Sequence, residues 1–269
     1  MNFAAVERQE WRKGAVAMNY ASHFALAAEQ CVPAMVDKVG RPCRALDLCC
    51  GHAIIARGLL DRGCEVTAAD FSPAMLDLAR ELVPEARLVE ADAMDLPFSE
   101  AEFDAVTIGF GIPHVPDPVR VFRECARVLR PGGVLVYSVW HGPERESVLN
   151  AVFEAIARFG DPGVSLPPGP GANDYAQPGI AGPALDAAGF LPPDFATVSS
   201  VWSLDQPDAP VRLFQQGTAR GGYVLRQQSN RALNAIRASV ANWVIGACAD
   251  KGPPWHIPIP AAVVSARRR

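Results

Sequence analysis

Short apolar runs alternate with segments of helical period through the middle of this chain. Cys43–Leu48, Glu65–Ala69, Arg87–Glu90, Phe103–Ile108 and Val134–Trp140 are brief and largely apolar, and they read as strands. The segments between them carry helix signals. Ser72-Pro73 and Asp117-Pro118 each set a capping side chain before a proline at the first helical position. The turn Arg130-Pro-Gly-Gly133 closes a helix ahead of the fifth strand. Strands alternating with helices predict a parallel sheet with right-handed crossovers.

The flanks have a different texture. Asn2–Val39 reads as helical throughout. After Trp140 comes a helix in HGPERESVLNAVFEAIARFGDP, then the Pro- and Gly-rich stretch VSLPPGPGANDYAQPG. GPALDAAGF makes a helix ending at Gly189, followed by a strand near Ala196–Leu204. A helical insertion runs from Ala209 to about Asp250, and the apolar run His256–Ala266 reads as the last strand. Gly169–Gly179 is too long and flexible in composition for a tight connection, as lids and disordered loops are.

Arg44–Asp70 carries the most chemistry. A strand (Ala45–Leu48) enters a tight turn around Gly51, a helix follows from Ala53 to about Arg62, and a second strand ends on Asp70. The turn leaves helix N–H groups facing outward, ready for a ligand. An acid about twenty residues on, at the next strand tip, can accept both hydroxyls of a ribose. The unit therefore predicts a nucleoside-containing cofactor. A dinucleotide needs three glycines so that the backbone can approach its pyrophosphate. Here the turn reads Asp47-Leu-Cys-Cys-Gly-His-Ala53, where the Cβ atoms of Cys49 and Ala53 would crowd phosphates. Asp47 suits a ligand with a sulfonium and an ammonium. The turn favours S-adenosylmethionine over NAD(P).

Four segments in order, LDLCCGHA, VTAADFSPAMLDLAR, EADAMDLPFSEAEFDAV and RECARVLRPGGVLV, resemble class I S-adenosylmethionine-dependent methyltransferases. The branch is similar to the ubiquinone/menaquinone-biosynthesis (type 11) methyltransferases and their small-molecule relatives, and the resemblance covers roughly residues 40–140. It departs at positions 49 and 53, where the family has glycine and this chain has Cys and Ala; the Ala is the easier replacement.

The resemblance implies an α/β fold: a doubly wound, seven-stranded, mostly parallel Rossmann-like sheet with an antiparallel last strand and a helical cap. It implies a helical cover over 1–40, a cofactor-binding core over 41–140, and lid insertions with the last two strands over 141–269. It also implies cofactor residues by motif position. Asp47, Cys49 and Gly51 lie in the turn, and Asp70 meets the ribose. Phe71 and Met75 flank the adenine, with Met75 equally readable as core. Asp92 meets the adenine amino group beside the backbone N–H of Ala93, and Gly109 and Phe110 face the methionine moiety.

Methyl transfer is an in-line displacement at a carbon that is already activated, so positioning carries much of the work and a base is optional. Among five histidines, His141 leaves the tip of the fifth strand, where open α/β sheets put ligands, and ranks first as a base. His23, in the N-terminal cover, ranks second, while His52, His114 and His256 read as structural. The fourth strand ends in Gly-Phe-Gly-Ile-Pro rather than the Asn/Asp-Pro-Pro-aromatic turn of DNA and protein methyltransferases. No acid cluster suggests a magnesium site. The expected acceptor is a small, apolar or ring-containing molecule with an O, N or C nucleophile.

Composition narrows the rest. The 269 residues carry a net charge of −4 with acids and bases interspersed, which argues against a nucleic-acid partner. Seven cysteines without C-x-x-C spacing read as reduced thiols in the cytoplasm. No secretory pattern or membrane-length apolar run occurs, and the oligomeric state is open between monomer and homodimer. Three alternatives stand beside the methyltransferase: a non-methylating member of the fold, an NAD-dependent oxidoreductase, and a non-catalytic binding protein.

Overall fold

The computed structural model describes residues 2–40, 43–248 and 252–269. Nine strands form among them: β1 (Arg44–Leu48), β2 (Glu65–Asp70), β3 (Arg87–Glu90), β4 (Phe103–Gly109), β5 (Leu129–Trp140), β6 (Asp194–Val198), β7 (Val201–Leu204), β8 (Trp255–Pro258) and β9 (Ala261–Arg267). The chain divides into two units. One comprises Ala28–Trp140, Gly169–Val198 and Ala261–Arg269; the other comprises Met1–Ala27, His141–Pro168 and Ser199–Pro260.

The first unit is built on a seven-stranded sheet of order β3-β2-β1-β4-β5-β9-β6. β1 to β5 pair in parallel, and β9 runs antiparallel to both β5 and β6. Two-residue alternation sorts its side chains. Leu46, Leu48, Val106, Ile108, Leu135 and Tyr137 share one core with Phe122 and Cys125 of the helix Pro118–Val128 and Leu185 of the helix Pro178–Ala187. The intervening positions include Asp47 and Thr107, which therefore bury polar groups on the opposite face. Ser72 and Asp117 cap their helices as the sequence predicts, accepting from the N–H groups of Met75 and Arg120.

The Pro- and Gly-rich connection is partly anchored in this unit. Tyr137 Oη donates to the Tyr175 carbonyl at 3.0 Å, Asn173 Nδ2 donates to the Trp140 carbonyl at 3.0 Å, and the Tyr175 ring meets Phe122 edge-on. Composition marks this stretch as flexible, but an aromatic ring seated on β5 and the neighbouring helix holds it.

The second unit is mostly helical, with β7 and β8 forming a two-stranded sheet. Phe24, Trp202 and Phe214 meet edge-to-face with centroids 4.8–6.0 Å apart, and Trp202 Nε1 donates to the Phe24 carbonyl. Gly217 permits a close crossing, since a Cβ there would lie 3.2 Å from the Tyr20 nitrogen. A buried ion pair joins distant segments: Glu7 Oε1 accepts from Arg220 Nε at 3.0 Å, and its Oε2 accepts from Trp11 Nε1 at 3.1 Å.

Two expected strands are revised, and the two expected helical regions are subdivided. The N-terminal region is helical as expected, in several pieces: Phe3–Trp11 ends before Lys13, which is extended, and Tyr20–Phe24 winds as a π turn. The strand expected at Ala196–Leu204 splits into β6 and β7 at Ser199-Ser200, and the last strand splits into β8 and β9 around Pro260. A proline lacks the N–H a ladder needs, so the pairing is interrupted there. The helical insertion is three helices, Ala209–Gly217, Ala219–Leu225 and Asn230–Ala247; its expected end at Asp250 lies outside the described residues.

Candidate functional site

The C-terminal tips of β1, β2 and β4 converge around the turn Cys49–Ala53. Gly51 takes φ +54°, the left-handed region that glycine enters without Cβ strain. Cys49 (φ +53°) and Ala53 (φ +69°) take the same region. Both therefore carry strain that glycine would not, of about 1–2 kcal/mol each. Sequence alone makes Ala53 an easy replacement; its backbone dihedral shows that it is not a neutral one.

Asp70 pins the turn. Its Oδ2 accepts from the Gly51 N–H and its Oδ1 from the Ser72 N–H, both at 2.9 Å. A carboxylate offers about four acceptor positions, so the group retains acceptor capacity beyond these bonds. Burial raises its pKa, against the pull of the two N–H groups and of His114.

Asp47 has a role that motif position does not reveal. The helix Ile54–Asp61 starts from Ala53, which brings no capping side chain. Asp47 reaches from β1 and accepts the Ala56 N–H on Oδ2 at 3.0 Å, while Thr107 Oγ1 donates to Oδ1 at 2.8 Å. It is a cap supplied from a strand. Burial pushes its pKa up to about 7, opposed by the Thr107 and Ala56 bonds and reinforced by the Asp70 charge. Burial also holds the Cys49 thiol well above its usual range, with Asp70, Cys125, Asp47 and Asp92 adding to it.

The other cofactor candidates lie in the same unit. Phe71 is half-buried. Met75 is buried, its sulfur 3.9 Å from where a Gly51 Cβ would stand, so it backs the turn. Asp92 follows β3 and accepts the Met94 N–H at 2.9 Å, and Ala93 is buried in the core. Gly109 leaves room for Ile55, whose Cδ1 would lie 2.4 Å from an added Cβ. Phe110 is left-handed (φ +56°) and stacks on Trp140 with centroids 4.0 Å apart.

The two candidate bases belong to the helical unit. His141 is buried, with Nδ1 3.0 Å from Glu144 Oε1 and its backbone N–H on the Pro260 carbonyl. His23 is exposed in the π turn. Of the remaining histidines, His52 is buried with its pKa lowered to about 4 by desolvation, and His256 is exposed on β8. Sequence reading missed Thr107 and Gly111. The signals were available: a lone hydroxyl in an apolar strand, and a second glycine directly after Phe110.

Residues 46–137 match the methyltransferase domain family. Over those residues the chain is similar to a methyltransferase domain. A demethylmenaquinone methyltransferase of Listeria welshimeri is 41% identical over 131 residues, covering 44% of this chain and 55% of that protein. The chain thus spans about half the length of the curated relatives it matches. A putative methyltransferase from Bacillus halodurans superposes with a TM-score of 0.57 at 16% identity, over 88% of this chain and 97% of that one. An N-methyltransferase of Haemonchus contortus, solved with phosphomonomethylethanolamine and S-adenosylhomocysteine, gives 0.52 at 18% identity, over 88% and 52%. These two likenesses concern the fold. Within the matched residues lie all the cofactor candidates, from Asp47 to Phe110. No helix among the described residues is long and apolar enough to cross a membrane.

Proposed function

We propose that the chain transfers a methyl group from S-adenosylmethionine to a small, apolar or ring-containing acceptor. The observation that carries this reading is Asp70, a buried carboxylate at the tip of β2 that fixes the Gly51 turn. A hydrogen-bond acceptor at that place fits the hydroxyls of a ribose. When bound, the cofactor supplies a methyl group already activated on sulfonium.

The chain's own groups then have defined tasks in this reading. Asp70 accepts the ribose hydroxyls, and Asp92 with the Ala93 N–H recognises the adenine edge. Phe71 borders the ring, and Met75 supports Gly51 from behind. The Cys49–Gly51 backbone, Gly109 and Phe110 hold the amino-acid end. Asp47 keeps the turn and helix in register with β1 and sets a negative or neutral charge beneath them. Positioning of this kind can lower a barrier by about 7–11 kcal/mol without a reacting side chain. His141 is the proposed proton acceptor where the nucleophile needs one, its ring oriented by Glu144; His23 is second.

Calorimetry with S-adenosylmethionine, S-adenosylhomocysteine and NAD, followed by a methyl-donor turnover screen over small aromatic acceptors, tests the reading. Binding of the first two with turnover supports it. Binding without turnover would indicate a non-methylating or purely binding protein, and preference for NAD would indicate an oxidoreductase.

A further inference from the structure

Two thiols meet at the end of the sheet opposite the cofactor turn. Cys43 directly precedes β1 and Cys64 directly precedes β2, and their Sγ atoms are 3.6 Å apart. The two strands are parallel neighbours in register Arg44↔Glu65, and the Glu65 N–H donates to the Cys43 carbonyl at 2.9 Å. Adjacent strands lie about 4.8 Å apart. That spacing is within the roughly 4.4–6.8 Å between Cα atoms that a disulfide spans. Closing the sulfurs to bonding distance therefore needs side-chain rotation and little backbone movement.

Access differs between the two. Cys64 is buried, whereas Cys43 is half-exposed on the wall of a cavity of about 600 Å³. Lys38, Arg130 and Arg267 line the same cavity, with Asp37 and Asp104 among them. A small oxidant can reach Cys43, and Cys64 waits beside it as the resolving thiol.

We infer that Cys43 and Cys64 form a reversible oxidation site, which a hydroperoxide closes to a disulfide and a dithiol reopens. In the first step the Cys43 thiolate attacks a peroxide oxygen, the O–O bond breaks, and with one proton a sulfenic acid and water form. In the second the Cys64 thiolate attacks the Cys43 sulfur, the S–O bond breaks, and the hydroxide leaves as water. Overall two thiols and one hydrogen peroxide give one disulfide and two waters. The reductant returns two electrons and two protons. The resulting ring runs from Cys43 to Cys64 and encloses β1, the cofactor turn and the helix Ile54–Asp61. It ties the first strand–turn–helix unit at its base and leaves the turn itself untouched.

The test exposes the full chain to a small molar excess of hydrogen peroxide, alkylates the remaining thiols, and maps them by peptide mass spectrometry. The expected result is a Cys43–Cys64 linked peptide, loss of two hydrogens from the intact mass, and reversal by dithiothreitol. The melting midpoint rises by roughly 5–10 °C on oxidation, as closing a loop of this length predicts. Cys43→Ser, at the half-exposed position, abolishes both the linked peptide and the shift. Alkylation of both thiols after treatment, a cross-link elsewhere such as Cys49–Cys125, or conversion of Cys43 to sulfinic acid would each overturn the inference.

Discussion

Gly111 stands against Cys49: a Cβ on Gly111 would lie 2.4 Å from the Cys49 Cβ and 3.0 Å from its Sγ. The Cys49 side chain, at a position where the resembled family has glycine, is thus accommodated by a glycine after β4. Gly111→Ala should destabilise the protein by about 1–3 kcal/mol, the range for overpacking. Cys49→Gly removes the nearest obstacle, leaving Ile108 Cγ2 at 3.0 Å, and removes the positive-φ strain. In urea unfolding, the double variant should recover at least about 1 kcal/mol relative to the sum of the single changes. Strict additivity would show that the two positions do not share this space.

Asp70→Ala should weaken S-adenosylhomocysteine binding by about 1.5–3 kcal/mol, the scale of hydrogen bonds to a charged group. The loss includes disorder of the turn, because the Gly51 N–H loses its acceptor. Calorimetry on the folded variant decides; unchanged affinity removes Asp70 from the ribose.

Asp47 makes stability fall with rising pH. Its pKa is raised to about 7 in the folded chain, so between the ordinary carboxylate range and neutrality the folded state holds a proton that the unfolded state releases. The contribution is complete below about pH 4 and is lost as pH rises through about 7, an effect of up to about 4 kcal/mol. Asp70 shifts in the same direction. Asp47→Asn should flatten this part of the curve of urea midpoint against pH between 4 and 8. A variant as steep as the parent would assign the effect elsewhere.

Removing one member of the buried Glu7–Arg220 pair leaves an uncompensated charge. Arg220→Met should cost about 3–5 kcal/mol, and adding Glu7→Gln should restore much of it. Thermal unfolding of the single and double variants measures this, and a single variant as stable as the parent would contradict it.

As a general base, His141 would contribute roughly 10²–10⁴-fold to turnover. His141→Ala should lower kcat by that factor while S-adenosylhomocysteine affinity stays unchanged. Near-normal turnover would mean that positioning suffices, or that His23 serves.

The sequence by itself determined the parallel core. Apolar runs of strand length, capping residues before prolines, and an acid at the second strand tip are local signals, and local signals survive without tertiary context. They placed β1 to β4 and the Gly51–Asp70 relationship at nearly their observed positions; β5 begins earlier than expected, at Leu129, and takes in the expected turn Arg130–Gly133. Tertiary structure alone decided what lies far apart in the chain. That Asp47 caps a helix through Ala56 and bonds Thr107 depends on which strand faces which helix. That Gly111 makes room for Cys49, and that Cys43 lies beside Cys64, depends on strand order and register. The breaks between β6 and β7 and between β8 and β9 fall at Ser199-Ser200 and beside Pro260, residues the sequence displays; that each half pairs with a different partner is decided by the tertiary structure, because hydrophobicity records burial, not which partner a strand takes.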